Sequence, residues 1–150
     1  MKLALYQPEI AQNVGTLLRL AACWNVAVDI IEPTGFLWDD KKLKRAGMDY
    51  LERASVTRHK TFEAFHKQKQ GRLLLLDTKA RDLYTDFSYK KTDIVMVGQE
   101  SCGVPQAVYE MCVAQLRIPM MAGARSINVA IAAAIGLAEA LRQNPEAILG

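Results

Sequence analysis

GQESCGVP (98–105), read with RIPM (117–120) and RSINVAIAAA (125–134) further along, decides how this chain is understood. Two apolar runs, DIVMVG (93–98) and AQLRIP (114–119), each end in a polar or glycine-bearing turn, and the second turn opens a long alanine-rich helical pattern. Glycine in such turns lets a ligand come close to main-chain amides. Open α/β sheets bind their ligands at the carboxyl ends of strands. The stretch therefore reads as a pocket built largely from backbone.

Working outward, β-type runs alternate with helix-type segments from end to end. Leu3–Tyr6, Val26–Ile31, Ala54–Arg58, Leu73–Leu76, Asp93–Gly98 and Ala114–Pro119 read as strands. Several are apolar throughout, as in a parallel sheet covered on both faces. Helical patterns fall at Ala11–Trp24, Asp39–Gly47, Thr61–Gln70, Pro105–Cys112 and Ser126–Gln143. This alternation predicts an α/β fold, a mostly parallel sheet with helices on both faces. No linker, repeat or shift of composition divides residues 1–150, so one domain is expected. In the last helix Ser126 is the expected cap, Ile127, Ile131 and Ile135 recur every fourth residue, and Pro145 follows the end. Gly136 inside it costs about 1 kcal/mol against alanine, which marks close contact with another backbone, within the chain or at a dimer seam.

Composition narrows the function classes. The 150 residues are 51% hydrophobic and 23% charged, enough to bury a core without staples. The longest apolar candidate, Ile127–Leu141, is too short for a membrane span and holds Gly136 and Glu139. MKLALYQPE has no secretory h-region. Cys23, Cys102 and Cys112 are odd in number and lack C-x-x-C spacing, so neither a disulfide framework nor a metal site is expected. His59 and His66 have no accompanying ligand set. A cytoplasmic protein without membrane or DNA partners is expected.

Net charge is +3 with a pI near 8.8, and its distribution is uneven. Lys41, Lys42, Lys44 and Arg45 cluster, and Arg53, Arg58, His59 and Lys60 follow. Two readings are open for this stripe, phosphate contacts or a solvated helix face. Asp39 and Asp40, at the start of that helix, read as capping and dipole-complementing residues. Trp24 and Trp38 could each stack on a base; Trp24, at a helix end, reads as core, and for Trp38, in a loop, an RNA contact or a dimer role stays open beside a purely structural one. Near the N-terminus, PEIAQNVGTLLRLAA sets Asn13 and Gly15 in the turn after the first strand, with Arg19 onward in the helix. Either that turn and a buried-side Arg19 form an anion or ribose site, or Asn13 caps the helix and Arg19 lies on its wet face.

In this order the three stretches PEIAQNVGTLLRLA, DIVMVGQESCGVP and RIPMMAGARSINVAIAAAIGLAE resemble the motifs of the SPOUT, or α/β-knot, RNA methyltransferases. IIEPTGFLWDDKKLKRAGMDYLE and the VTRH after it resemble the branch that 2′-O-methylates the tRNA wobble nucleotide, cytidine or uridine. The resemblance covers Leu3 to about Gln143. It implies a C-terminal deep trefoil knot, a homodimer with sites completed across the interface, S-adenosylmethionine as cofactor with S-adenosylhomocysteine as product, no metal, and tRNA as partner. No appended RNA-binding domain is expected. Carried over by position, it implies cofactor contacts at Leu76, Asp77, Thr78, Gly98, Gly103, Ile118, Pro119, Ser126 and Ile127. The catalytic neighbourhood it implies is Asn13, Arg19, Glu100, Ser126 and Asn128, and the phosphate contacts are Lys41, Lys42, Lys44, Arg45, Arg53 and Arg58.

The implied reaction is an in-line displacement in which a ribose hydroxyl attacks a sulfonium methyl, so activation and placement of the nucleophile carry the difficulty. A guanidinium stays protonated. Arg19 therefore suits the orientation of a phosphate and stabilisation of a developing alkoxide better than the role of base. Glu100 either holds Arg19 or the helix amides, or makes a structural bond to its own turn. The chain departs from the family pattern at Ala130 and Ala138, where many relatives carry a hydroxyl residue and an aromatic. Cys102 reads as a small loop residue. Two rival functions stay open: methylation of another tRNA or rRNA nucleotide, and a non-catalytic RNA-binding module on the same fold.

Overall fold

Leu73–Leu76 and Ile94–Val97 are apolar at every position, and both strands lie inside the sheet with side chains packed on either face. The computed structural model describes residues 1–45 and 53–149. The elements are β1 (Lys2–Tyr6), α1 (Ala11–Cys23), β2 (Ala27–Ile31), α2 (Asp40–Arg45), β3 (Val56–His59), α3 (Phe62–Gln68), β4 (Leu73–Leu76), β5 (Asp82–Leu83), β6 (Ile94–Val97), α4 (Gln106–Glu110), β7 (Ala114–Arg117), α5 (Val129–Gln143) and α6 (Glu146–Leu149). The sheet order is β3-β2-β1-β6-β4-β7-β5, and the strand pairings are parallel. The alternation of Leu3 and Leu5 with Ala4 and Tyr6 separates two cores. One joins the sheet to α1 and α5 through Leu17, Leu18, Ala133 and Leu137; the other joins it to α3 and α4 through Phe62, Phe65 and Val108. The expected α/β layering with helices on both faces is present.

Winding runs one way from β1 to β2 and β3, whereas the other neighbour of β1 is β6. Strand order therefore reverses between β1 and β6, and the carboxyl ends of these two strands form the crevice where such sheets take ligands. Two buried carboxylates brace the sheet. Asp93, fully buried, accepts two bonds from Arg72 at 2.7 and 2.8 Å and one from the Lys90 amide. Asp29 on β2 lies between His59 at 2.8 Å and Lys2 at 3.3 Å.

Several local expectations are corrected. Asn13 and Gly15 are inside α1, not in a turn, because the helix starts at Ala11 with Ile10 as its N-cap. The cap of α5 is Asn128 rather than Ser126: the Asn128 carboxamide oxygen accepts from the amides of Ala130 and Ile131 at 2.8 and 3.3 Å. The stripe of α5 against the sheet is Ala130, Ala133, Leu137 and Ala140, while Ile127 and Ile131 are exposed. Gly136 meets a side chain and not a backbone; a Cβ there would stand 2.6 Å from a methyl of Leu76. The short β5 and α6 were absent from the sequence reading. The last residues of the predicted Asp39–Gly47 helix lie outside the described residues. Among the described residues no helix is long and apolar enough to cross a membrane.

Candidate active site

β1 and β6 deliver two loops to the crevice. After β6 the chain turns back on itself: the Gln99 amide donates to the Gly103 carbonyl at 2.8 Å and the Gly103 amide to the Gln99 carbonyl at 3.0 Å. This ring closes only over glycine. A Cβ on Gly98 would fall 2.6–2.8 Å from the Gly103 backbone, and Gly103 itself adopts φ +70. The tight turn sends Glu100 toward the loop after β1, where its carboxylate accepts from the amides of Glu9 (2.8 Å) and Ile10 (3.3 Å) and from the Asn13 side chain (3.2 Å). Negative charge at the start of α1 also complements the helix dipole.

The clasp is reciprocal. Glu9 accepts from the Ser101 amide and hydroxyl, both at 2.8 Å. The Gln99 side chain donates to that of Gln7, a residue held at φ 45. Asn13, nearly buried within α1, passes the connection onward by accepting from the Asn128 amide nitrogen at 3.0 Å. Glu100, Asn13 and Asn128 thus form one hydrogen-bonded line joining three stretches far apart in sequence. Of the two readings for Glu100, holding the helix amides is the one its bonds support.

Two hollows flank this line. A small crevice at the β1/β6 reversal is lined by Leu5, Asn13, Val97, Gly98, Glu100 and Val129 among others. A larger cleft lies at the ends of β4 and β7, walled by Leu76, Leu116, Ile118, Met120, Ile127 and Ala132 with Asp77 and Thr78 at its polar side. Apolar walls with a few polar groups suit a flat heterocycle that is also hydrogen-bonded at its edge. Leu76 is fixed in that wall by Gly136 behind it.

Leu76, Asp77, Thr78, Ile118 and Ile127 line the larger cleft and Gly98 the smaller, while Gly103 closes the turn beside Asp77. Pro119 and Ser126 are exposed, and residues 121–128 form an exposed approach to α5. Arg19 lies on the outer face of α1 with Gln12 and Thr16, not on the buried side. Lys41, Lys42 and Arg53 are exposed. Arg58 pairs with Glu32 and sits 4.8 Å above the Trp38 ring. Lys44 and Arg45 belong to α2, and their side chains lie outside the described residues. Asp39 caps α2 through the amides of Lys41 and Lys42 at 2.9 and 3.2 Å. At the end of β1, burial and then the charge of Glu63 push the Tyr6 phenol above its ordinary pKa. Sequence reasoning missed Glu9, Leu116, Met120 and Ala132. Met120 and Ala132 stand inside motifs already quoted, whereas the use of Glu9 depends on a partner in a distant loop.

The sequence pattern of the SpoU rRNA methylase family matches residues 1–138. The chain is 51% identical over 144 residues, covering 94% of it and 90% of the relative, to a tRNA (cytidine(34)-2′-O)-methyltransferase of Beijerinckia indica. A solved structure described as "Structural insights into the 2-OH methylation of C/U34 on tRNA" is similar with TM-score 0.90 and 35% identity, covering 97% of this chain and 96% of that one. An AdoMet-bound rRNA methyltransferase from Sinorhizobium meliloti is similar at TM-score 0.83 and 25% identity, over 94% of this chain and 55% of that one.

Proposed function

The chain belongs to the SpoU rRNA methylase family, and on that footing we propose that it methylates the ribose 2′-hydroxyl of the tRNA wobble nucleotide, cytidine or uridine, using S-adenosylmethionine. The observation that carries this reading is the hydrogen-bonded line Glu100–Asn13–Asn128 between an apolar cleft and the strand-order reversal, in a chain 51% identical to a tRNA (cytidine(34)-2′-O)-methyltransferase over nearly its whole length. The apolar lining of the larger cleft and the ring of backbone that Gly98 and Gly103 permit suit a flat heterocycle with a flexible tail.

When bound, the cofactor supplies an electrophilic methyl group on a sulfonium centre. Leu76, Leu116, Ile118 and Ile127 would hold its adenine between them, with Asp77, Thr78 and the backbone near Pro119 available to bond its edge. Ser126, on the exposed approach to α5, would be within the chain segment that borders the bound pair. Asn13 and Asn128 orient the ribose, and their mutual bond limits both side chains to one arrangement, which counts because near-attack placement lowers the barrier. Glu100 keeps Asn13 and the start of α1 in register. Arg19, charged throughout, orients the ribose phosphate and stabilises charge as it develops on the attacking oxygen.

Arg19 projects from the outer face of α1, so it serves the ribose in a partner's cleft, and the protein acts as a homodimer. Ile10, Ile127 and Ile131 support this. They are exposed apolar residues at the ends of α1 and α5 that the Asn13–Asn128 bond draws together. The same reading carries a deep trefoil knot near the C-terminus, a cytoplasmic location, one catalytic domain, and phosphate contacts from Lys41, Lys42, Lys44, Arg45, Arg53 and Arg58. The test is transfer of labelled methyl to purified tRNA followed by mapping at nucleotide resolution. Label at the wobble ribose, lost in Arg19→Ala with cofactor binding intact, is expected; label elsewhere, or none, refutes the reading.

A further inference from the structure

Arg117 ends β7 between two residues of the larger cleft, Leu116 and Ile118. Its guanidinium lacks a counterpart. Nε is buried with no hydrogen-bond partner, and among the described residues no acid pairs with the group. Burying an N–H of a cation without an acceptor is costly, so the position is prepared for one. The strand fixes where the group goes. Gln115, two residues earlier, donates to the carbonyls of Tyr109 and Cys112 at 2.7 and 3.2 Å, beside α4, whereas Leu116 belongs to the core formed with α1 and α5. Alternation along a strand puts Arg117 on the Gln115 side. It stands there at the carboxyl edge of the sheet, where folds of this kind take their ligands.

Asp77 is the neighbour across that edge. β4 and β7 pair through Leu76 and Leu116, and one residue further on the Asp77 amide still donates to the Leu116 carbonyl at 3.0 Å. Asp77 is the one charged residue among those lining the larger cleft. One oxygen of its carboxylate accepts from the Lys79 amide at 2.7 Å, and the other lies 3.7 Å from where a Gly103 Cβ would stand. Lys79, Arg81 and Asp82, the other charges of this stretch, are exposed, where solvent screens them. An anion and a cation on adjacent strands, not joined to each other, select against a ligand of one sign. A bare phosphate would suit Arg117 but meet repulsion from Asp77. An amino-acid tail carries its carboxylate beside an ammonium and has no net charge. The planar guanidinium matches such a carboxylate in geometry.

We propose that Arg117 binds the α-carboxylate of the S-adenosylmethionine tail where the tail leaves the cleft across the carboxyl edge of β4 and β7. This rests on the cofactor reading above and adds the group that anchors the tail. The test needs no RNA turnover. Calorimetric titration compares S-adenosylmethionine with its decarboxylated analogue, which keeps the adenosine, the sulfonium and the amine, on the wild type, Arg117→Gln and Arg117→Lys. The wild type should bind the carboxylated ligand about tenfold more tightly, as one charge-assisted bond warrants. Arg117→Gln should bring the two ligands within about twofold of each other by weakening S-adenosylmethionine alone, and Arg117→Lys, which keeps the charge but loses the fork, should fall between. A merely structural arginine would weaken both ligands alike. That result overturns the proposal, and so does a wild type indifferent to the carboxylate, a measurement that stands even if Arg117→Gln does not fold. Loss of tRNA affinity in Arg117→Gln with cofactor binding unchanged would mark a phosphate contact and overturn it too. A wild type that binds neither ligand fails at the underlying cofactor reading, before any variant is compared.

Discussion

Removing the Glu100 carboxylate tests whether this residue anchors the crevice. In Glu100→Ala the amides of Glu9 and Ile10 and the Asn13 side chain lose their acceptor at 2.8, 3.3 and 3.2 Å. A hydrogen bond to a charged group is worth about 1.5–3 kcal/mol, and only the Glu9 contact is short. Water reaches this half-buried corner and recovers part of the loss. The sum is about 2–3 kcal/mol, including a few tenths from the dipole of α1. At about 2–4 °C per kcal/mol for a chain of this size, Tm should fall by roughly 5–10 °C. Glu100→Gln keeps one oxygen acceptor and should lose less than half as much. Scanning calorimetry gives Tm, and labelled methyl transfer gives kcat at a temperature where both variants stay folded. The kcat of Glu100→Ala should fall by tenfold or more, since Asn13 loses its fixed orientation. If Tm is unchanged while transfer is abolished, Glu100 works on substrate and not as the anchor, and the reasoning fails.

Gly136→Ala puts a Cβ 2.6 Å from a methyl of Leu76. Leu76 must swing toward the cleft, so calorimetric titration should show cofactor affinity weakened several-fold with Tm little changed. Asp93→Ala removes the acceptor of Arg72 and the Lys90 amide; because Arg72 keeps partial access to water, the cost should be about 2–3 kcal/mol, to be read in urea titrations. Burial pushes the Cys112 thiol up to about 12, while Cys23 and Cys102 are exposed. At pH 8 a thiol reagent should therefore modify two cysteines in the folded protein and the third only after denaturation.

The sheet was legible because its strands are apolar on both faces. A parallel sheet buried by helices on either side imposes that pattern locally, and Leu73–Leu76 and Ile94–Val97 carry it. Legibility ends where a partner far along the chain decides between local options. Ser126 and Asn128 are both competent N-caps. Asn128 takes the position in a structure where its amide nitrogen also reaches Asn13, 115 residues away. The isoleucine repeat of α5 suggested the buried stripe, yet the sheet presents Leu76 and its neighbours so closely that alanine and glycine pack there. Isoleucine is left for the outer face. β5 spans two residues and has no periodicity to read, since its existence depends on the edge of β7. For the site, the residue types in the motifs were visible. The reciprocal use of Glu9 and Glu100, each holding the other's loop, was not, because acceptor and donor lie 91 and 92 residues apart.

The two hollows share a single hinge of sequence. Ile127 stands in the wall of the larger cleft, and the next residue, Asn128, both caps α5 and holds Asn13. A ligand that presses on Ile127 therefore acts within one peptide unit of the line that ends at Glu100. The line cannot shift piecemeal. Asn128 moves only by releasing the amides of Ala130 and Ile131, and Asn13 is fixed within α1 while Glu100 is fixed by Glu9 and Ile10. Each member is bonded to at least one further group, so the line has one arrangement to offer at the crevice, while Asn13 and Asn128 each keep a second carboxamide hydrogen for a ligand. The proposed placement of a methyl donor in one hollow and a ribose in the other would draw on this arrangement, because the reaction depends on placement to within a fraction of an ångström.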